Sequence, residues 1–305
     1  MTGVDRGRYR SWTGERTVTA MKARELGRGG IVVGDHVSLA GDTSGQPGTL
    51  ARVVRVQPRT SVLRRSAEDD DPAERSIVAN ADQLVIVTAL ANPPPRPRLI
   101  DRFLVAAYDA GLDPLLCLTK ADLASPDELL AAYQPLGVRS IALSRPFGPA
   151  LDDLRALLAE RVSVLVGHSG VGKSTLVNAL VPDADRAVGS VSAVTGRGRH
   201  TSSSAVALAL PGGGWIIDTP GLRSFGLAHV APDQVVSAFG EFADVITDCL
   251  PGCTHLEESC ALNAWAAEHD SPAELARLDS LRRLLRSREG LPDEADQDDQ
   301  DDQPG

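Results

Sequence analysis

At 305 residues, 42% hydrophobic and 24% charged, the chain is long enough for two or three compact domains and too apolar to be disordered throughout. No apolar run reaches membrane-span length, and the arginine-bearing first sixteen residues lack the apolar core of a signal peptide, so the expectation is a cytoplasmic protein with no membrane partner. The net charge of -10 is unevenly spread: residues 293–302 carry seven acidic and no basic residues, whereas residues 1–65 hold twelve Arg and Lys against five Asp and Glu, a local charge of about +7 that suits an anionic partner as well as a solvated face.

Up to residue 72 the sequence reads as short strands broken by Gly and Pro, at 31–33, 37–39, 50–56 and 61–63. A small β-barrel fits this texture. The residues before Ile31 are poor in alternation, so the barrel is expected to lack strands or to be frayed on its N-terminal side. The acidic run 68–71 with Pro72 reads as a linker, after which apolar strands alternate with amphipathic helices.

Strands are expected at 84–90, 114–118, 139–143 and 162–166, with helices at 98–110, 126–133, 151–160 and 172–180. Such alternation builds a mostly parallel sheet covered by helices on both faces. Residues 206–210 and 215–218 read as an antiparallel hairpin at its edge. Beyond Gly221 strand character is lost, helices are expected at 261–268 and 272–288, and the Asp/Gln-rich end reads as disordered. The expected division is a barrel over 1–72, an α/β domain over 73–230, a small helical domain over 231–290 and a tail over 291–305.

The strongest chemical signal is Gly167-His168-Ser169-Gly170-Val171-Gly172-Lys173-Ser174, with Thr175 after it, placed between a strand and a helix. Glycines there let successive backbone N–H groups surround phosphates, Lys173 reaches the β- and γ-phosphates, and Ser174 ligates Mg²⁺. Asp218-Thr219-Pro220-Gly221 closes an apolar strand, which suits Asp218 to hold the Mg²⁺ through water and the Gly221 N–H to sense the γ-phosphate. The polar loop 195–201 lies between the two, with Thr201 as the candidate second Mg²⁺ ligand.

Base recognition appears upstream of the phosphate loop. Thr119-Lys120-Ala121-Asp122 follows a buried strand, where a ligand-binding loop at the carboxyl edge of a parallel sheet belongs. Asp122 can accept both N1–H and N2–H₂ of guanine, which adenine cannot offer. Ser144, ending the next strand, then supplies backbone contacts to the base. The chain therefore reads as a P-loop GTPase, binding GTP and GDP, with its motifs in circularly permuted order. A P-loop ATPase or kinase and a nucleotide-gated RNA-binding module that does not hydrolyse remain as rival classes.

Cys249, Cys253, His255 and Cys260 offer three thiolates and an imidazole, a closed tetrahedral set suited to one structural Zn²⁺. Cys117 lies mid-strand and reads as core. Leu222 follows Asp218–Gly221 and cannot orient water, which leaves His200 as the nearest titratable group, with Arg197 and Arg199 as candidates for transition-state charge or an RNA phosphate.

These motifs, together with Gly34-Asp35-His36-Val37, Ala79-Asn80-Ala81-Asp82-Gln83, the run 101–106 and the residues from Arg197 to Thr201, resemble the ribosome small subunit-dependent GTPase A family, RsgA, also called YjeQ or YloQ. The resemblance spans about residues 34–262. It implies an N-terminal OB-like barrel that binds RNA, a permuted GTPase domain and a C-terminal zinc domain. It further implies a factor of late assembly that binds the 30S subunit and its 16S rRNA, hydrolyses GTP and leaves, with His200 as the proposed catalytic residue. No DNA partner is expected, and a monomer is. The family's cysteine spacing is one residue longer in each outer gap than Cys249-x₃-Cys253-x-His255-x₄-Cys260.

Overall fold

The computed structural model describes residues 1–27, 30–66, 74–182, 205–219, 227, 229–289 and 291. Its frame is a single 11-stranded mixed sheet in the order β10-β9-β8-β11-β13-β12-β1-β2-β3-β5-β4. The α/β part comprises β8 (Gln83–Ala89), β9 (Asp113–Thr119), β10 (Arg139–Leu143), β11 (Val162–Val166), β12 (Val206–Ala209) and β13 (Trp215–Asp218). Helices α1 (Pro97–Asp109), α2 (Asp127–Tyr133), α3 (Ala150–Leu158) and α4 (Lys173–Leu180) connect them. Strands β10, β9, β8, β11 and β13 run parallel, and β12 folds back antiparallel on β13.

Every residue of β8 is buried, because its two faces meet separate cores. Leu84 and Ile86 pack with the α1 residues Phe103 and Leu104, whereas Val85 and Val87 pack with Leu154 of α3 and Leu176 of α4. After β10 the chain crosses back to β11 on the far side of β8. The connections leaving the carboxyl ends of β8 and β11 thus diverge at a switch in strand order, where open α/β sheets open a crevice for ligands.

The expectation of missing N-terminal strands is corrected. Before Ile31 the chain forms β1 (Gly3–Asp5), β2 (Arg8–Trp12) and β3 (Thr17–Lys22), followed by β4 (Val37–Gly41) and β5 (Ala51–Val56). Their order 1-2-3-5-4, with β3 parallel to β5, is a five-stranded Greek-key arrangement of the kind found in OB barrels. Alternation is present in β3, where Val18 and Ala20 are buried between exposed neighbours, but Thr and Met in place of charged residues hide it from a hydropathy reading. Met1 closes the barrel: its carbonyl accepts from Gly34 N at 2.9 Å and its ammonium donates to Asp35 O at 2.6 Å. The expected strand at 31–33 is reduced to one bridge, Val33 to Val78.

The barrel is joined to the α/β part twice. Strand β1 pairs with β12, and β6 (Val62–Ser66) pairs antiparallel with β7 (Glu74–Ala79), so the domain boundary expected after residue 72 falls between two paired strands. Gly34 sits at φ +89° against β7, where an added Cβ would lie 1.8 Å from the Ala79 carbonyl oxygen. Asn80 Nδ2 donates to Gly34 O at 3.0 Å while its Oδ1 accepts from Thr60 N at 2.8 Å. Asp35, fully buried, takes Arg59 on both oxygens at 2.7 and 2.9 Å.

After β13 the chain builds helices α5 (Pro232–Ser237), α6 (Gly240–Ala243), α7 (Ala261–Glu268) and α8 (Pro272–Arg288). They close over α1 through Phe239 and Phe242 and through Arg283 of α8, whose Nε donates to the fully buried Asp101 at 3.1 Å. Among the described residues no helix is long and apolar enough to cross a membrane. The expected tail, apart from Leu291, lies outside the described residues.

Gly34→Ala combines a left-handed backbone with a collision against backbone, so it is expected to destabilise the junction by about 2–5 kcal/mol. Urea titration followed by tryptophan fluorescence, with Gly41→Ala as a control for φ alone in open space, measures this.

Candidate nucleotide site and cysteine cluster

Residues 167–174 lie where the crevice opens. Gly167 leaves β11 at φ +146°, and a Cβ there would lie 2.1 Å from Val87 O, so only glycine lets the loop pass so close to β8. Gly172 (φ +101°) then precedes α4, whose first residue is Lys173 and whose first turn carries Ser174 and Thr175. Lys173 Nζ donates to Gly167 O and His168 O at 2.5 and 3.0 Å, folding the ammonium back over the loop. His168 Nδ1 lies 2.8 Å from Ser169 O.

Asp218 ends β13, the strand beside β11, with Leu165 as its register partner. Burial pushes its carboxyl pKa up, opposed by the Lys173 charge; burial likewise pushes the Lys173 ammonium down, opposed by Asp218. Both shifts weaken the charged forms, and a phosphate beside Lys173 and a divalent cation beside Asp218 would each oppose its shift. Thr219 is held inward, its hydroxyl donating to Leu165 O at 2.7 Å.

Residues 119–122 reach the phosphate loop from β9. Thr119 Oγ1 donates to Val171 O at 2.5 Å and lies 3.3 Å from Thr88 O. Lys120, left-handed at φ +61°, extends Nζ to Gly170 O at 3.1 Å and to Asn92 O. Ala121 N donates to Leu143 O at 3.1 Å, and Asp122 Oδ1 accepts from Arg145 N at 3.1 Å, which brings the turn after Ser144 to the same edge. The structure thus gathers Thr119, Lys120, Ala121, Asp122 and Ser144 with the loop 167–175 and Asp218. Gly221, Thr201, His200, Arg197, Arg199 and Leu222 lie outside the described residues. Asn92 had no signal in the sequence, because its contribution is a backbone carbonyl.

The cysteine cluster assembles despite its short spacing. The ligand atoms of Cys249, Cys253, His255 and Cys260 all lie within 4.8 Å of one another. Cys249 Sγ is 3.7 Å from both His255 Nδ1 and Cys260 Sγ, and Cys260 Sγ is 3.8 Å from His255 Nδ1. Bonds of about 2.0–2.3 Å around tetrahedral zinc require donor separations close to these. His255 reaches this pose at φ +64°, and its other nitrogen, Nε2, lies 2.8 Å from Asp233 Oδ1. A carboxylate behind a histidine fixes the ring and would turn Nδ1 toward a metal ion held by the three thiolates. Asp233 sits 22 residues upstream on α5, beyond the reach of any spacing motif.

The model of the RsgA GTPase family matches residues 56–228. The small ribosomal subunit biogenesis GTPase RsgA of Pseudomonas aeruginosa (strain LESB58) is 43% identical over 265 residues, covering 84% of this chain and 76% of that protein. The protein of the same name from Chromohalobacter salexigens is 42% identical, covering 84% and 75%. Among solved structures, YjeQ from Thermotoga maritima superposes with a TM-score of 0.59 at 25% identity over 88% of this chain and 90% of that one. YloQ, a circularly permuted GTPase, gives 0.63 at 21% over 96% and 95%, a likeness of fold.

Thr119→Val keeps the shape of the side chain and removes its donor, leaving the Val171 carbonyl without that partner. The expected cost is about 1–3 kcal/mol of stability together with weaker nucleotide binding. Denaturant titration and mant-GDP fluorescence, with Thr175→Val as comparison, would check it; unchanged stability and affinity would show that the tie does not hold the loop.

Proposed function

The chain belongs to the RsgA GTPase family, and we propose that it binds GTP and GDP with Mg²⁺ in the crevice just described and acts in biogenesis of the small ribosomal subunit. In this reading Asp122 accepts the guanine N1–H and N2–H₂, and the backbone after Ser144 contacts the base. The N–H groups of 167–175 and Lys173 hold the phosphates, while Ser174, Asp218 and Thr201 serve the Mg²⁺ and the Gly221 N–H reads the γ-phosphate. Mg²⁺ would neutralise charge on the β- and γ-oxygens. His200 would orient the attacking water in place of the glutamine that Leu222 is not. The observation that supports the reading is the contact of Lys120 with Gly170, fifty residues apart in the chain, which brings residues 119–122 against the loop 167–174.

The partner in this reading is the 30S subunit, approached through its 16S rRNA by a monomer. The name the relatives share and the basic balance of residues 1–65 support it. Residues 1–72 would supply the RNA-binding barrel, 73–230 the nucleotide domain and 231–290 a helical domain stapled by zinc on Cys249, Cys253, His255 and Cys260. The convergence of the donor atoms and the Asp233 carboxylate behind His255 favour this metal role over four unrelated side chains.

Two experiments test the proposal. Phosphate release from GTP is expected to rise strongly when 30S subunits are added and to lose that rise in His200→Ala; turnover indifferent to subunits would overturn the subunit-linked reading, and an unaffected variant would remove His200 from the chemistry. Asp233→Ala is expected to weaken zinc binding about 10–100-fold, read by competition with a chromophoric chelator.

A further inference from the structure

We propose that His229 and Asp109 are a positioning pair for the γ-phosphate response: they hold the far end of the segment that begins at Asp218 against the end of α1, and their loss lowers affinity for GTP while sparing that for GDP. The proposal rests on the reading that the Gly221 N–H senses the γ-phosphate, and it names the residues that keep that segment ready.

Topology sets the two ends of the segment at opposite edges of the sheet. Asp218 ends β13 at the carboxyl edge, and Thr219 is fixed there by its hydroxyl to Leu165 O at 2.7 Å. Asp109 is the last residue of α1, and soon after it the chain enters β9, whose first residue Asp113 donates its N–H to Asp82 O just ahead of β8. Asp109 therefore stands at the amino edge, about 20 Å from the start of α1 by the rise of its 13 residues. His229 lies beside it. Within ten residues of Thr219 the chain has thus passed from one edge to the other and is held again.

This second hold is buried. The side chain of His229 is 3% exposed and that of Asp109 6%, with Nε2 3.6 Å from Asp109 Oδ2. That distance suits an ion pair but is too long for a hydrogen bond, and neither ring nitrogen has a hydrogen-bond partner among the described residues. Buried polar atoms are costly unless a partner answers them, so the carboxylate gives the ring a preferred place that a small shift would tighten. The neighbouring residues are held by other means. Leu227 and Val230 are buried in the core with Val230 N donating to Leu227 O at 2.9 Å, and Arg288 at the end of α8 donates from Nε to Val230 O. Apolar packing is non-directional, which leaves the His229–Asp109 pair to align this stretch on α1.

The pair lies at the edge of the sheet opposite the nucleotide, so it acts on populations. GDP requires the base loop and residues 167–175, whereas GTP also requires 218–221 in place. Apparent affinity falls in proportion to the fraction of molecules that hold the competent arrangement, so a loosened end weakens GTP alone.

The test measures affinities for mant-GDP and for mant-GppNHp, a non-hydrolysable GTP analogue, with Mg²⁺ present. Wild type is compared with Asp109→Ala, His229→Ala, the double variant and Gly221→Pro, which removes the N–H assigned to the γ-phosphate. Asp109→Asn and His229→Gln, which keep bulk in the buried site, replace the alanine variants if these fail to fold. Each single variant is expected to bind the GTP analogue at least about fivefold more weakly, with GDP affinity unchanged. The double variant is expected to lose no more than either single one, as for two residues acting through one contact. Equal weakening of both nucleotides, or losses that add in the double variant, would mean general loosening and would overturn the pair. An unchanged preference in the pair variants alongside a loss in Gly221→Pro would overturn the pair and leave the γ-phosphate reading intact; an unchanged preference in Gly221→Pro as well would overturn both.

Discussion

The nucleotide crevice depends on the tie between the end of β9 and the loop after β11. These strands are not neighbours; β8 lies between them, and the loops at their carboxyl ends must meet across it. Two residues make the crossing: Thr119 through its hydroxyl to Val171 O, and Lys120 through its ammonium to Gly170 O. Both acceptors are backbone carbonyls of the loop, so the tie fixes loop conformation, while the N–H groups stay available for phosphates. The glycine at 167 serves the same end, since it allows the loop to rest on the Val87 carbonyl.

Because that tie is spatial, the order in which the chain visits the strands is free to change. Here β8, β9 and β10 precede the phosphate-loop strand β11, and the sheet order places β11 between β8 and β13 all the same. Permutation alters where the chain enters and leaves, with a mechanical consequence. Strand β12 forms the edge to which β1 attaches the barrel, and β13 leads into the helices of the cysteine cluster. Trp12 of β2 and Trp215 of β13 reinforce the first junction, with ring centroids 6.4 Å apart in an edge-on arrangement.

Much of this was legible because the relevant signals are local. Strand β8 is a run of seven buried residues, and the loop 167–174 carries glycines at positions that demand positive φ. The N-terminal strands were missed since β2 alternates Arg, Tyr, Arg, Ser and Trp, a pattern in which the inward residue Ser11 is polar and the outward Trp12 is 46% exposed. Packing against Met1 and a neighbouring domain decides those faces, and neither is encoded in hydropathy. Long-range partners were equally out of reach: Asp233 behind His255, Arg283 on Asp101 and Gly34 against Ala79 are each made by the fold. Several residues that carried the family resemblance without a chemical reason, namely Gly34, Asp35, Asn80 and Asp101, prove to be such junctions.

The junctions bear on how a partner could control hydrolysis. The segments read as sensing the γ-phosphate, 195–201 and 218–221, are each continuous in the chain with a different appendage: the first runs into β12, which is bonded to the barrel, and the second into the cysteine cluster. A rigid body that held barrel and helical domain at once would constrain both ends of the sensing machinery while touching neither the base loop nor residues 167–174. In an unpermuted chain the segment after β13 continues into β8 instead, and a partner gripping the two appendages would have no covalent hold on it. The permuted order thus gives a partner that holds both appendages a covalent link to these segments, and a partner with different affinity for the two nucleotide states would couple its own binding to nucleotide occupancy.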